Sequence, residues 1–216
     1  MKPEKPRQPA PSKASRVPVQ PRSIQTRERI LEAAMALFCE KGYYKTTTNE
    51  IARRANVSIG SLYSYFRDKD TVFFEILGRY NQKFMDAKNE AQSQPALLQK
   101  DPAKWLRLLI DGLIRVHEES RAFNRELTVM AYYNPEVAAV IERNKRRTLD
   151  TTIGYFIQNS SGFKAADPQA AATVAFDLIS ATVDRITFGN GDIGRERLTG
   201  TAIDMLLAYF TGTVRP

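Results

Sequence analysis

The stretch from Thr46 to Lys69, TTTNEIARRANVSIGSLYSYFRDK, constrains the fold most, because it predicts two short helices joined by a tight turn. Thr47 and Glu50 match the S/T-x-x-E capping box, in which each side chain satisfies a free backbone N–H at the start of a helix. Asn56 can adopt the left-handed conformation that ends a helix, and Ser58 can cap the next one. This arrangement is typical of a helix-turn-helix, whose second helix enters the DNA major groove.

The same stretch resembles the TetR family of one-component transcriptional regulators. The likeness runs from about Arg27 to Leu77, and Asn56 and Tyr65 stand where the family commonly has Gly and His. It implies an all-α protein with an N-terminal three-helix DNA-binding head that contains the helix-turn-helix, followed by a C-terminal helical domain for ligand binding and dimerisation. The residues that carry the likeness are Gly42, Tyr43, Thr46, Thr47, Ile51, Ala52, Ala55, Val57, Ser58, Gly60, Leu62, Tyr63, Phe66 and Lys69.

The candidate DNA-contacting residues are expected to contact either base edges or phosphates. Residues 59–61 begin the recognition helix, whose N-terminal residues meet base edges. Residues 46–48 lie at the start of the preceding helix, where hydroxyls, backbone N–H groups and the helix dipole favour a phosphate. The resemblance assigns phosphate contacts to Tyr63, Tyr65 and Lys69. The full predicted set is Arg27, Thr46, Thr47, Thr48, Ser58, Ile59, Gly60, Ser61, Tyr63, Tyr65 and Lys69.

Lysine and arginine are concentrated in the first third of the chain. Residues 1–70 hold 14 Lys and Arg against 7 Asp and Glu, a net charge of +7, whereas residues 71–216 hold 18 against 17, a net +1. A basic surface raises DNA affinity because bound counterions are released. A basic surface can also be merely solvated, but its coincidence with the helix-turn-helix pattern favours DNA.

Residues 1–23 are predicted to be a disordered tail. They are rich in Pro, carry six Lys and Arg against one Glu, and contain few apolar groups that could offset the entropy lost on ordering. Two interpretations stay open, a basic arm that follows the phosphates or enters a minor groove, and an inert extension. Residues 24–70 are then the DNA-binding domain, and residues 71–216 the helical effector-binding and dimerisation domain.

The rest of the chain is predicted to be helical throughout. The first helix covers about residues 26–41, and the fourth covers about residues 68–92 and ends at a break. Asp or Asn followed by Pro marks three later helix starts, because proline suits the first helical position. The later helices are predicted at about 102–119, 121–132, 135–159, 168–188 and 195–211.

The helices at 168–188 and 195–211 are apolar on most sides, and a helix of that kind must be covered all round. One face would pack within the chain and the other against a second copy. The alternative is that both helices lie entirely inside the monomer core. The resemblance favours a homodimer through these two helices. A charge at a position that faces the second copy, such as Leu206→Glu, would then yield monomers or misfolded protein.

Several other classes of protein fit the composition poorly. No apolar run approaches the roughly 18 residues of a membrane helix, and no apolar stretch follows the charged N-terminus as in a secretory signal. Cys39 is the single cysteine, either a buried thiol or a redox sensor, and suits the cytoplasm. The single histidine and the lack of a Gly-rich phosphate loop argue against an enzyme. We expect no cofactor, no metal and no membrane partner.

Candidates for a ligand pocket lie between residues 105 and 133. Small-molecule sites are mostly apolar with a few placed polar groups, although aromatic residues at helical spacing also build ordinary cores. Two arginines could bind an anion, and the histidine is either a cavity group or a satisfied surface group. The candidates are Trp105, His117, Arg121, Phe123, Arg125, Tyr132 and Tyr133.

Together these features predict a homodimeric, cytoplasmic transcriptional regulator that binds double-stranded operator DNA. We expect a repressor released by a small, largely apolar effector, which would act by shifting the fourth helix and changing the spacing of the two heads. Two alternatives stay open. One is an architectural DNA-binding protein without an effector, and the other is a helical protein-interaction scaffold.

Overall fold

A computed structural model describes residues 21–159, 165 and 167–211, which form ten α-helices and no strand. The prediction of an all-α fold is confirmed. The chain divides into two compact units, Met1–Ile76 and Leu77–Pro216, and one helix, α4, belongs to both. The helices are α1 (Pro21–Lys41), α2 (Thr48–Arg54), α3 (Ile59–Tyr65), α4 (Lys69–Gln92), α5 (Pro95–Lys100), α6 (Pro102–Glu119), α7 (Arg121–Tyr133), α8 (Pro135–Asn159), α9 (Pro168–Phe188) and α10 (Arg195–Thr211).

The first unit is held by a small core to which every one of its helices contributes. Ile30 and Phe38 of α1, Ile51 of α2, Leu62 of α3 and Phe73 of α4 are all at most 1% exposed. Edge-to-face aromatic contacts add specific geometry to this apolar burial, with the rings of Phe38 and Phe73 5.9 Å apart. The core fixes α2 and α3 on α1, so one side of each helix is left for other contacts.

The turns of the first unit form as the sequence predicts. Gly42 ends α1 with a φ of 88°, and Asn56 lies between α2 and α3 with a φ of 54°. Thr47 caps α2 in a capping box with Glu50, and the Ser58 side chain accepts from the backbone N–H of Ser61 to cap α3.

Two local differences from the predictions stand out. Helix α1 begins at Pro21 rather than near residue 26, so residues 21–23, assigned to the tail, are helical. Proline favours a first helical position, and a contact between the hydroxyls of Ser23 and Tyr65 at 3.0 Å ties this turn to α3. Residues 1–20 of the predicted tail lie outside the described residues. The short helix α5 was not predicted.

The second unit packs α6, α9 and α10 around one apolar cluster. The cluster includes Trp105 and Ile110 of α6, Ala172 and Ile179 of α9, and Ile203 of α10, each at most 6% exposed. Asp101, Asn134 and Asp167 accept backbone N–H groups at the starts of α6, α8 and α9, as the Asp-Pro and Asn-Pro pairs predicted.

Leu206 belongs to this core, where it is 5% exposed, so its expected position on the dimer surface is wrong. A leucine in α10 faces the core or the outside depending on helix rotation, which an almost continuous apolar pattern does not determine. The large apolar side chains that α9 and α10 expose are Val174 at 68%, Met205 at 56%, Tyr209 at 49% and, at the end of α9, Phe188 at 43%. Among the described residues, no helix combines the length and the apolarity that a membrane crossing requires.

Candidate nucleic-acid interface

Helix α3 is anchored on one side and open on the other. Leu62 and Phe66 are 0% and 2% exposed in the core, which leaves the opposite side free. Ile59 is 38% exposed and Tyr63 is 51% exposed, and Gly60 lies on the same open surface. The open side of α3 therefore presents a short exposed strip, formed by Ile59, Gly60 and Tyr63, that starts at the first helical residue.

The start of α2 lies beside this strip. The hydroxyls of Thr48 and Tyr63 are 3.1 Å apart, so a surface hydrogen bond connects α2 with α3. Thr47 and Glu50 satisfy each other in the capping box, and Lys41 forms an ion pair with the same carboxylate. The Lys41 contact, followed by those from Thr47, lowers the pKa of Glu50 to about 2. The charge of the Glu50 carboxylate is thus balanced by Lys41 within the first unit.

Thr46 and Lys69 are engaged inside the first unit. Thr46 is 1% exposed, and its hydroxyl donates to the carbonyl of Gly42 at 2.8 Å. The Lys69 Nζ donates to the carbonyls of Tyr43 and Thr46, each at 2.8 Å, and lies 4.0 Å from the Tyr43 ring centroid. These donors hold the turn between α1 and α2. The predicted phosphate contacts stay predictions: the Thr46 hydroxyl would have to give up its bond to Gly42 to donate to a phosphate, whereas Lys69 keeps a third N–H donor.

Arg27 and Tyr65 are also partly engaged. Arg27 forms an ion pair with Glu75 at 2.9 Å, and its guanidinium lies 5.3 Å from the Phe66 ring centroid. Tyr65 contacts Ser23, as described above. These contacts tie α1 to α3 and α4, and the contacts of Arg27 and Tyr65 with DNA stay predictions.

Two exposed cations in this unit were not among the predicted residues. Lys45 and Arg53 are exposed, and neither has an ion-pair partner in the part of the chain that the structure describes. Arg54, by contrast, forms a two-pronged contact with Glu40. The sequence could have indicated that Lys45 is unpaired, because no acidic residue lies within four positions of it.

The predicted pocket residues of the second unit do not converge on one site. Trp105 is 1% exposed, donates from Nε1 to the Ala91 carbonyl at 2.7 Å and stacks on Tyr155. Phe123 is 0% exposed, whereas Tyr132 and Tyr133 are 82% and 67% exposed at the end of α7. The aromatic candidates are thus divided between core and surface.

Arg121 and Arg125 do line a cavity, of about 570 Å³. Arg121 also donates to the carbonyl of Thr187 near the end of α9. Burial lowers the pKa of His117, and Asp184, whose carboxylate is 4.0 Å from Nε2, partly opposes this. The cavity is lined by Arg121, Asn124, Arg125, Thr128, Asp184, Thr187, Phe188 and Gly189. Within the described ranges, no cluster of three or more His, Cys, Asp or Glu side chains is placed to hold a metal ion.

Comparison with known proteins gives matches in both units. The model of bacterial regulatory proteins of the tetR family matches residues 30–76, and the model of the tetracyclin repressor-like C-terminal domain matches residues 84–207, more than half of the chain. A solved TetR-family transcriptional regulator from Mesorhizobium loti MAFF303099 is 26% identical, with a TM-score of 0.66 over 88% of this chain and 98% of that one.

Curated relatives agree with these matches over shorter lengths. The HTH-type transcriptional regulator HbdR of Aromatoleum sp. (strain CIB) is 46% identical over 63 residues, which are 27% of this chain and 28% of HbdR. The HTH-type transcriptional repressor BepR of Brucella suis is 33% identical over 134 residues, 59% of this chain and 61% of BepR. This chain thus spans less than two thirds of either relative. With the two family models covering both units, the chain belongs to the TetR family of bacterial transcriptional regulators.

Proposed function

We propose that this protein is a homodimeric repressor that binds operator DNA through α2 and α3 and releases it when a small molecule binds the helical unit. The observation that carries the proposal is the open side of α3. Its buried side is fixed by Leu62 and Phe66, while the first residues of the helix remain accessible. A recognition helix needs this combination of rigid support and an exposed N-terminal end.

The first residues of α3 suit contact with base edges. A Cβ added to Gly60 would meet only the Ser58 hydroxyl, at 4.0 Å, so the surface there is flat enough for close approach. Ile59 offers an apolar group for a thymine methyl, and the Ser61 hydroxyl can donate or accept at a base edge. These contacts would supply sequence preference.

The surrounding groups suit contact with phosphates. Thr48 and Tyr63 share a hydrogen bond at the surface, and either hydroxyl can turn to a phosphate oxygen. Lys45 and Arg53 add cations that no carboxylate among the described residues neutralises. Such contacts position the protein and make its affinity depend on salt, because each neutralised phosphate releases counterions.

The exposed apolar side chains of α9 and α10 support a dimer. Val174, Met205 and Tyr209 are each about half exposed or more, and covering them would remove apolar area from water. A helix-turn-helix dimer binds two half-sites about 34–36 Å apart, so it reads a nearly palindromic operator. Repression is proposed because BepR, with which the chain shares 33% identity, is a transcriptional repressor.

Release by an effector requires different affinities for two arrangements of the dimer. A coupling of about 1–3 kcal/mol changes DNA affinity by about 5–150-fold, and the DNA weakens effector binding by the same factor. Helix α4 is continuous from Lys69 to Gln92, so a ligand that contacts its second half acts on a helix shared by both units. Its relatives are regulators, which supports a cytoplasmic regulator without catalytic activity.

The test is DNA binding by fluorescence anisotropy on the fragment that the purified protein retains and on random DNA. Tyr63→Phe should weaken binding to both DNAs alike, because a phosphate contact carries no sequence information, and should leave the salt dependence nearly unchanged, because the lost hydroxyl is uncharged. Ser61→Ala should change the preference at one base position, by about 1–3 kcal/mol. Tyr132→Phe is the matched control, since Tyr132 is an exposed tyrosine of the other unit. Equal affinities for all four proteins on both DNAs would contradict the proposal.

A further inference from the structure

Lys88 of α4 is the only charged residue among the buried residues of the described chain, at 6% exposed. Its Nζ donates to the Thr151 Oγ1 of α8 at 2.6 Å. An ammonium carries three N–H donors, and the other two have no acceptor among the described residues. No carboxylate of that part of the chain forms an ion pair with it. A buried charge that lacks a counter-ion is costly, so its retention calls for a second partner.

A second cation lies next to Lys88. Arg147 is four residues before Thr151 on α8, is exposed and has no ion-pair partner in the described ranges. Burial lowers the pKa of Lys88, and the positive charge of Arg147 lowers it further. Two neighbouring cations without a carboxylate attract an anion, and the exposure of Thr151 and Arg147 gives the anion a way in.

The cavity beside Arg121 is a weaker candidate for an anion. Asp184 lines it and brings a negative charge. Arg121 already donates to the Thr187 carbonyl, near the C-terminus of α9, where the helix dipole is negative. The cations of that cavity are therefore partly compensated within the chain, whereas Lys88 and Arg147 are not.

Apolar side chains lie on α4 within one turn of Lys88. Ala87 and Ala91 are buried on α4, and the Met85 sulfur lies 4.0 Å from the Thr148 hydroxyl of α8. Further along α8, Tyr155 stacks on the buried Trp105 at a centroid distance of 5.7 Å. A molecule that brings a carboxylate to Lys88 would find methyl, thioether and aromatic groups for its body, as ligand sites commonly offer.

We propose that Lys88 and Arg147 bind the carboxylate of an amphipathic organic acid between α4 and α8. The further step, that this acid is the effector, rests on the function proposed above. The carboxylate accepts from the two unused N–H donors of Lys88 and from the Arg147 guanidinium. Thr151 orients the ammonium, and the apolar body of the acid lies along the side chains of α4 and α8.

The direct test is a thermal-shift titration of the full protein with hexanoate, octanoate and decanoate, each beside its uncharged amide. The acids should raise the melting temperature, and the amides should bind at least about tenfold more weakly because they lack the charge-assisted hydrogen bonds. Lys88→Met should remove the preference for the acid. Lys83→Met is the matched control, because Lys83 lies on the same helix but is exposed and paired with Glu119.

A second variant covers the case in which Lys88→Met does not fold. Arg147→Gln changes an exposed residue and should weaken binding of octanoate several-fold without altering the melting temperature of the free protein. Equal affinity for acid and amide, no stabilisation by any of the acids, or an unchanged preference in Lys88→Met or Arg147→Gln would overturn the site.

Measuring DNA affinity with and without octanoate separates the two proposals. Acid binding without any DNA retention would contradict the proposed function but keep the site. DNA retention by a protein that does not distinguish acid from amide would keep the proposed function and remove the site. Acid binding that leaves DNA affinity unchanged would overturn the assignment of the acid as the effector.

Discussion

Lys69 and Lys88 lie on the same helix, one in each unit, and the chain satisfies their charges very differently. Lys69 donates to two backbone carbonyls at 2.8 Å and lies over the Tyr43 ring. Lys88 is more deeply buried, has one hydroxyl acceptor, and has Arg147 as its charged neighbour. Lys69 thus holds the turn between α1 and α2 with two of its N–H donors. Lys88 uses one donor and leaves two for a bound molecule.

The same contrast extends to the rest of the two units. In the first, Glu40, Glu50 and Glu75 each pair with a basic residue of that unit. In the second, the buried hydroxyl of Thr199 has no partner among the described residues, and α9 and α10 expose large apolar side chains. The second copy proposed above would cover these apolar side chains of the second unit, and the proposed ligand would pair with Lys88.

Substituting the two lysines tests the contrast most directly and should give the largest difference in stability. Lys69→Met should lower the free energy of unfolding of the first unit by about 3 kcal/mol, because two carbonyls lose charge-assisted hydrogen bonds. Lys88→Met should cost nothing or increase stability, because it removes an unpaired buried charge. Urea unfolding followed by circular dichroism measures both. Equal losses of stability would remove the distinction between the two sites.

Substitutions in α10, at its proposed dimer surface and in its buried core, should have the next largest effect. Met205→Glu should yield folded monomers, because it places a charge on an exposed apolar position of α10. Leu206→Ala should instead lower stability, by about 2–5 kcal/mol, through a cavity in the core. Analytical ultracentrifugation and thermal melts separate the two outcomes. A folded Met205→Glu dimer of unchanged affinity would show that α10 does not form the contact.

A helix cap of the first unit gives a smaller effect. Thr47→Ala should lower stability by about 1 kcal/mol, because it breaks the capping box with Glu50. Thr48→Ala is the control, since its hydroxyl contacts Tyr63 at the surface and caps no helix. Thermal melts should show a loss only for Thr47→Ala. A comparable loss in the control would mean that the surface hydrogen bond, not the cap, stabilises this turn.

The smallest effect concerns pH in the second unit. The folded pKa of His117 is lowered, so the unfolded chain takes up a proton first as the pH falls below about 6.5. Stability from this residue is therefore fully present above that pH and is lost as the pH drops toward the folded pKa. His117→Gln should flatten the dependence of melting temperature on pH in this range. An unchanged slope would assign the dependence to other groups.

The sequence predicted those features that depend on a few neighbouring residues. Capping by Thr47 and Ser58, the left-handed Asn56, and the helix starts at Pro102, Pro135 and Pro168 all follow from local chemistry. Features set by tertiary packing were harder to predict. The composition of residues 1–23 indicates a tail, yet the contact between Ser23 and Tyr65 holds its last turn on α3.

The candidate ligand site shows the same limit more strongly. Aromatic residues at helical spacing did not reveal that Trp105 and Phe123 are buried while Tyr132 is exposed. Lysine is almost never buried, so a sequence-based prediction places Lys88 on the surface, although it is 6% exposed. The DNA-contacting set stays a prediction, although the open side of α3 follows directly from the 3–4 spacing of Leu62 and Phe66.

The most direct test of DNA recognition by α3 is to sequence the genomic fragments that the purified protein retains, for the unaltered protein and for Ser61→Ala. The unaltered protein should enrich fragments that share an inverted repeat, with half-site centres about one helical turn of DNA apart or a multiple of it. Ser61→Ala should retain the repeat but change the preferred base at one position in each half-site. Fragments with no common sequence, or an identical base preference for both proteins, would contradict the account.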